Sequence, residues 1–117
     1  MNNLAQKKTC LSPQPVVVDN ARKYQELDLR LKILQALRKE SGYTANDRCL
    51  LFAVREKGHA ISIERIHVEL AWLDQIAHVL DHRISGNTHV AMLNDTGFDV
   101  VEGTLSLPGI ATLPPVY

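Results

Sequence analysis

The chain has 117 residues, 45% of them hydrophobic and 5% aromatic, which suffices for one modest core built on Leu, Ile, Val and Ala and excludes a two-domain protein. Its Lys and Arg equal its Asp and Glu at 13 each, but the balance is uneven: eight cations stand with four acids before residue 44, five with six over 44–93, and none with three after that. No apolar run approaches the roughly 18 residues of a membrane span, and the first residues lack the apolar stretch of a signal peptide, so a cytoplasmic protein with no membrane partner is expected.

In chain order, residues 1–18 read as a flexible basic arm. Lys7 and Lys8 supply its charge, and Ser12-Pro13-Gln14-Pro15 predicts an extended stretch ahead of Val16–Val18. Asp19 or Asn20 is placed to cap a first helix that runs to about Glu40 and stops at Ser41-Gly42. That helix carries two apolar stripes, Leu27, Leu31 and Leu34 on one and Leu29, Ile33 and Leu37 on the other. Two stripes exceed the single face a small monomer buries, so either the surplus is a homodimer contact through helix 19–40 or both meet the chain's own core.

Thr44 is expected to cap a second helix, with Asp47 complementing its positive end and Lys57-Gly58 ending it. Cys49, Leu50, Ala53 and Val54 form its inner face, with Leu51 and Phe52 beside it. Cys10, by contrast, sits in the polar arm, and two cysteines in such unlike settings predict reduced thiols and no disulfide.

A short link, His59-Ala60-Ile61, leads to Ser62, which caps a third helix running to Ile76. Ile63, Ile66, Leu70, Leu73 and Ile76 recur at helical spacing and face inward, leaving Glu64, Arg65, His67, Val68, Glu69 and Ala71 on the surface. Alternation over Val79–Ile84 and Thr88–Leu93 predicts two strands around the turn Ser85-Gly86-Asn87. Asn94 then caps a short helix ending at Gly103, and Pro108-Gly109 and Pro114-Pro115 leave residues 104–117 as an extended C-terminal tail.

Three helices, a tight link between the second and third, and a following hairpin make a mostly α fold with a small antiparallel hairpin (α+β). The expected architecture is a winged helix-turn-helix over residues 19–103. In such a fold the second helix of the pair enters the major groove of duplex DNA. The residues placed for contact are Ser62, Glu64, Arg65 and His67 on that helix and Arg83, Asn87 and Thr88 on the wing. Arg65 is suited to guanine because a guanidinium donates two bonds to one base edge, and Glu64 to cytosine. Arg65 is also at ion-pair spacing from Glu69, which gives it an alternative partner on its own helix. All five histidines, His59, His67, His78, His82 and His89, fall in the middle third and titrate near about 6.5 when unperturbed.

Catalysis finds no support. There is no phosphate-cradling glycine loop, no helix with paired metalloprotease histidines and no cysteine close to a histidine in sequence. His78 and His82 fall where helix gives way to strand, so a zinc site with four converging ligands is not expected there, and no cofactor or metal is expected at all.

Tyr43-Thr-Ala-Asn46, Ser62-Ile-Glu-Arg65 running into Glu69-Leu-Ala-Trp-Leu73, and Val90 to Gly103 with Pro108-Gly109-Ile110 behind it resemble the small winged-helix proteins of Mu-like prophages, labelled ArsR-like transcriptional regulators. The resemblance covers roughly residues 34–110 and implies DNA binding, a winged fold and homodimers. It does not imply metal-regulated release, because the reading helix carries no cysteine motif. Ala77-His78-Val79 also departs from the Gly-Leu-Val of that group. The expected function is therefore that of a phage or prophage transcriptional regulator that binds double-stranded DNA. The alternative is a protein-interaction module that keeps the same scaffold and docks a partner through Trp72, Leu51 and Phe52 or the first helix.

Overall fold

A computed structural model describes residues 13–112, with side chains described from residue 21. The elements are α1 (Pro13–Lys39), a 3-10 turn (Ser41–Tyr43), β1 (Thr44–Asn46), α2 (Asp47–Glu56), α3 (Ile63–Gln75), β2 (Leu80–Ser85), β3 (Thr88–Leu93) and α4 (Asp95–Glu102). Among the described residues the fold is thus α+β, four α-helices on a three-stranded antiparallel sheet of order β1-β3-β2.

The first helix starts earlier than its sequence suggests. Pro13 opens it, so the expected extended stretch over 13–18 is helical and Asp19 and Asn20 lie inside it instead of capping it. Proline is compatible with a first turn, where the missing N–H has no intrahelical acceptor anyway. Lys7, Lys8 and the rest of residues 1–12 lie outside the described residues.

From Leu29 on, both stripes of α1 are absorbed by the chain itself, while Leu27 is half-buried. Leu29, Leu31, Ile33, Leu34 and Leu37 are all 4% exposed or less. A fully buried Leu or Ile contributes about 1.5–3 kcal/mol, so turning either stripe toward a partner subunit would consume much of a small domain's stability of about 5–15 kcal/mol. The surplus that suggested a dimer through helix 19–40 therefore does not exist over 29–37. These residues meet Leu50 and Val54 of α2, Ile66, Leu70 and Leu73 of α3, and Leu80, Ala91 and Leu93 of the sheet in one core.

Thr44 is not the cap of α2. It pairs with Met92 as the first residue of β1, and Asn46 takes the cap, its side chain accepting from the Cys49 amide at 2.9 Å. A three-residue strand is too short to show alternation, which is why it was invisible in the sequence. Cys49, expected on the inner face, is exposed, as is Phe52.

The third helix follows its spacing closely. Ser62 caps it by accepting from the Arg65 amide, and Ile66, Leu70 and Leu73 are fully buried. Ile76, expected inside, forms the C-cap and is 64% exposed. The hairpin pairs Leu80 with Leu93 through Ser85 with Thr88, and Gly86 takes φ +61° at the first central position of the turn, where a II′ hairpin demands glycine. Asn94 caps α4 and Gly103 ends it in the left-handed region. The segment expected as an extended tail instead folds back: Ile110 is buried, and the Ala111 amide donates to the Leu27 carbonyl of α1.

Candidate nucleic-acid interface

The exposed side of α3 differs from the one its spacing suggests, because its two cationic candidates are drawn to opposite flanks. Arg65 leans toward α1. Its Nε donates to Glu69 Oε2 at 2.6 Å, and Nη2 lies 3.5 Å from Glu26. His67 leans the other way, its Nε2 2.7 Å from Asp47 Oδ2 of α2 and its ring stacked on His89 of β3 at 3.6 Å. Glu64 and Val68 are left between them, both exposed, with Gln75 two turns on.

Glu69, expected on the surface, is 2% exposed. Its second oxygen accepts from Arg30 Nε of α1 at 2.7 Å, and the Arg30 guanidinium lies 3.8 Å over the Trp72 ring while donating to the Gly109 carbonyl. A carboxylate can be buried there because two guanidiniums satisfy it. Arg30 and Glu69 are 39 residues apart, so no local pattern exposes the pair.

On the hairpin, Arg83, Asn87 and Thr88 are all exposed, Asn87 and Thr88 at the turn and Arg83 opposite Val90, two rungs in from it. His89 is turned inward. Its Nδ1 lies 2.8 Å from His82 Nε2, and the Asp47 carboxylate accepts from its backbone amide at 3.4 Å. Burial alone would raise the Asp47 carboxyl, but the His67 hydrogen bond and the backbone amides of His89 and Arg48 outweigh it and hold Asp47 below the usual aspartate range. The His82 imidazole is lowered by burial and by the neighbouring His89 and His67, with Asp74 opposing. Among the described residues no three His, Cys, Asp or Glu side chains are arranged to hold a metal ion.

A second feature is a cleft whose Arg22 and Lys23 stand out in the sequence as a cationic reserve for phosphate, while their meeting with Lys57 does not. The cleft, of about 930 Å³, opens between residues 22–29 of α1 and the α2–α3 link, and Arg22, Lys23, Lys57 and Arg65 line it with Glu26 and Asp28. The acids are largely committed. Asp28 is bound by His59 at 2.8 Å and Lys32 at 3.2 Å, and Glu26 lies against Arg30 and Arg65. Although burial acts to raise it, the Asp28 carboxyl is held low by His59 and Lys32. Arg22, Lys23 and Lys57 make no ion pair among the described residues, so the mouth of the cleft is positive. Lys57, last in its run before Gly58, was legible only as a helix end.

Comparison with protein-family models, with curated proteins and with solved structures finds no match for this chain.

Proposed function

We propose that the chain is a winged helix-turn-helix protein that binds duplex DNA, in the manner expected of a phage or prophage transcriptional regulator. The observation that carries the reading is the succession α1-β1-α2-α3-β2-β3 with β1 docked on β3, which sets a capped helix beside an exposed two-residue hairpin. In this reading Arg22, Lys23 and Lys57 grip phosphates beside the α2–α3 link, and Arg83, Asn87 and Thr88 touch the backbone from the wing. Glu64 accepts from cytosine N4, and Val68 meets a thymine methyl group. Arg65 adds little, because reaching a base requires it to leave Glu69 and Glu26.

The test is duplex binding over a salt series by fluorescence anisotropy. Three or four neutralised phosphates give a slope of log K against log salt of roughly −3 to −4. Lys57→Ala should reduce that slope by about 1, as expected for one lost phosphate contact, and Arg65→Ala should change affinity less than Lys57→Ala. Absence of binding by the unmodified protein at low salt overturns the reading.

A second reading, docking of a protein partner, is favoured by two observations: the outward edge of α3 is acidic and apolar, and Phe52 of α2 is 66% exposed. Trp72 no longer belongs to it, since Arg30 covers its ring. A homodimer rests, among the described side chains of α1, on residues 21–25, which are exposed. Its expected result is a solution mass twice the 13.1 kDa of one chain, and a single-chain mass removes it.

A further inference from the structure

Three histidines and two aspartates from four elements meet where the hairpin joins the helices. Asp47 comes from α2, His67 and Asp74 from α3, His82 from β2 and His89 from β3. His82 and Ala91 are cross-strand partners, as are Ile84 and His89, so both imidazoles lie on the sheet face that further along buries Leu80 and Leu93. Polar rings therefore continue the core face toward the hairpin end and tie it to α3.

We propose that the His82–His89 contact, seated on His67 and Asp47, is a pH-sensitive latch between the hairpin and α3 that opens in mildly acidic solution. The argument is proton counting. His82 Nε2 and His89 Nδ1 face each other at 2.8 Å, and such a bond holds one hydrogen: one nitrogen donates and the other accepts with its lone pair. When both rings are fully protonated, two N–H groups point at each other and the bond is lost. The added charge also falls on a stack, because His89 lies 3.6 Å from His67 and the planes differ by only 9°. Asp47 Oδ2 already accepts from His67 and from the His89 amide, and Asp74 Oδ2 is engaged by the His82 amide, so neither carboxylate meets the His82–His89 nitrogens directly.

The direction follows from linkage. His82 is held below its ordinary value in the folded protein, so the unfolded chain takes up that proton first as pH falls. Its stabilisation is complete above the unfolded value of about 6.5 and is lost as pH drops toward the folded one. Asp47 is held low and stays ionised over this range. The latch depends on these contacts alone and stands whether or not the protein binds DNA.

The variant that separates a latch from a merely structural contact is His82→Gln. Its amide nitrogen reaches the place of Nε2 and donates to His89 Nδ1, but it does not titrate. Between pH 7.5 and 5.0 the unmodified chain should lose more in Tm than His82→Gln. In the unmodified protein, NMR titration of the His82 ring C–H signals should show hairpin amides exchanging faster as that ring takes up its proton. An equal Tm loss in both proteins, or a His82 ring that takes up its proton with the hairpin amides still protected, overturns the proposal. The NMR measurement requires no variant, so it decides the question even if His82→Gln folds poorly.

Discussion

Replacing Arg30 with alanine should destabilise the protein by about 3–5 kcal/mol, the cost of stranding one member of a buried ion pair, and lower Tm by at least about 12 °C. The Arg30 side chain is 10% exposed and, besides lying 3.6 Å from Glu26, serves three groups at once. It donates to Glu69 at 2.7 Å, it donates to the Gly109 carbonyl at 2.9 Å, and its guanidinium covers Trp72. Removal leaves Glu69 with Arg65 alone and deprives the returning C-terminal segment of its side-chain anchor on α1, leaving the Ala111–Leu27 backbone bond. Arg30→Lys should recover only part of the loss, because an ammonium cannot fork between a carboxylate and a carbonyl while lying flat on an indole. In urea denaturation the Arg30→Ala, Glu69→Ala pair should lose less than the sum of the single variants, as contacting partners do. A loss under about 1 kcal/mol for Arg30→Ala would place the pair among ordinary exposed bridges.

The same pair shows where the sequence stops being legible. Features written in residues a few positions apart were readable: Ser62 and Asn94 as caps, Gly103 as a helix stop, the alternation on either side of Gly86, and the Ile66, Leu70, Leu73 row. Each depends on helical or strand periodicity, or on a side chain bonding its own next turn. Features requiring a distant partner were not. Glu69 reads as surface until Arg30 is brought to it, and β1 has no identity apart from β3. The two stripes of α1 suggested a subunit contact because nothing local says that α2, α3 and the sheet cover both. At the candidate interface, Arg83, Asn87 and Thr88 are exposed where the turn chemistry put them. Arg65 and His67 were drawn away by Glu69, Glu26 and Asp47, and the cationic cleft arose from three separated segments.

Gly97→Ala should be the other severe substitution, even though alanine is the better helix former by about 1 kcal/mol. Gly97 sits in the first turn of α4, buried, with its amide donating to the Asn94 side chain at 2.8 Å. Its backbone φ is not in the left-handed region, so the need for glycine there is one of space. A Cβ at this position would run into the Val79 carbonyl oxygen and lie 2.6 Å from Leu93 Cδ1. The leucine can rotate, but the carbonyl cannot yield, because it is main chain that also accepts the Asn94 amide at 3.2 Å. Relief requires α4 to lift from the segment between α3 and β2, costing about 3 kcal/mol, the upper part of the overpacking range. Gly58→Ala supplies the contrast: φ is +99° and nothing lies within 4 Å of the added carbon, so only the left-handed backbone is penalised, by about 1–2 kcal/mol. Urea midpoints for the two variants should therefore fall in the order unmodified, Gly58→Ala, Gly97→Ala. Reversal of the last two would mean that the start of α4 is not packed on the Val79 backbone.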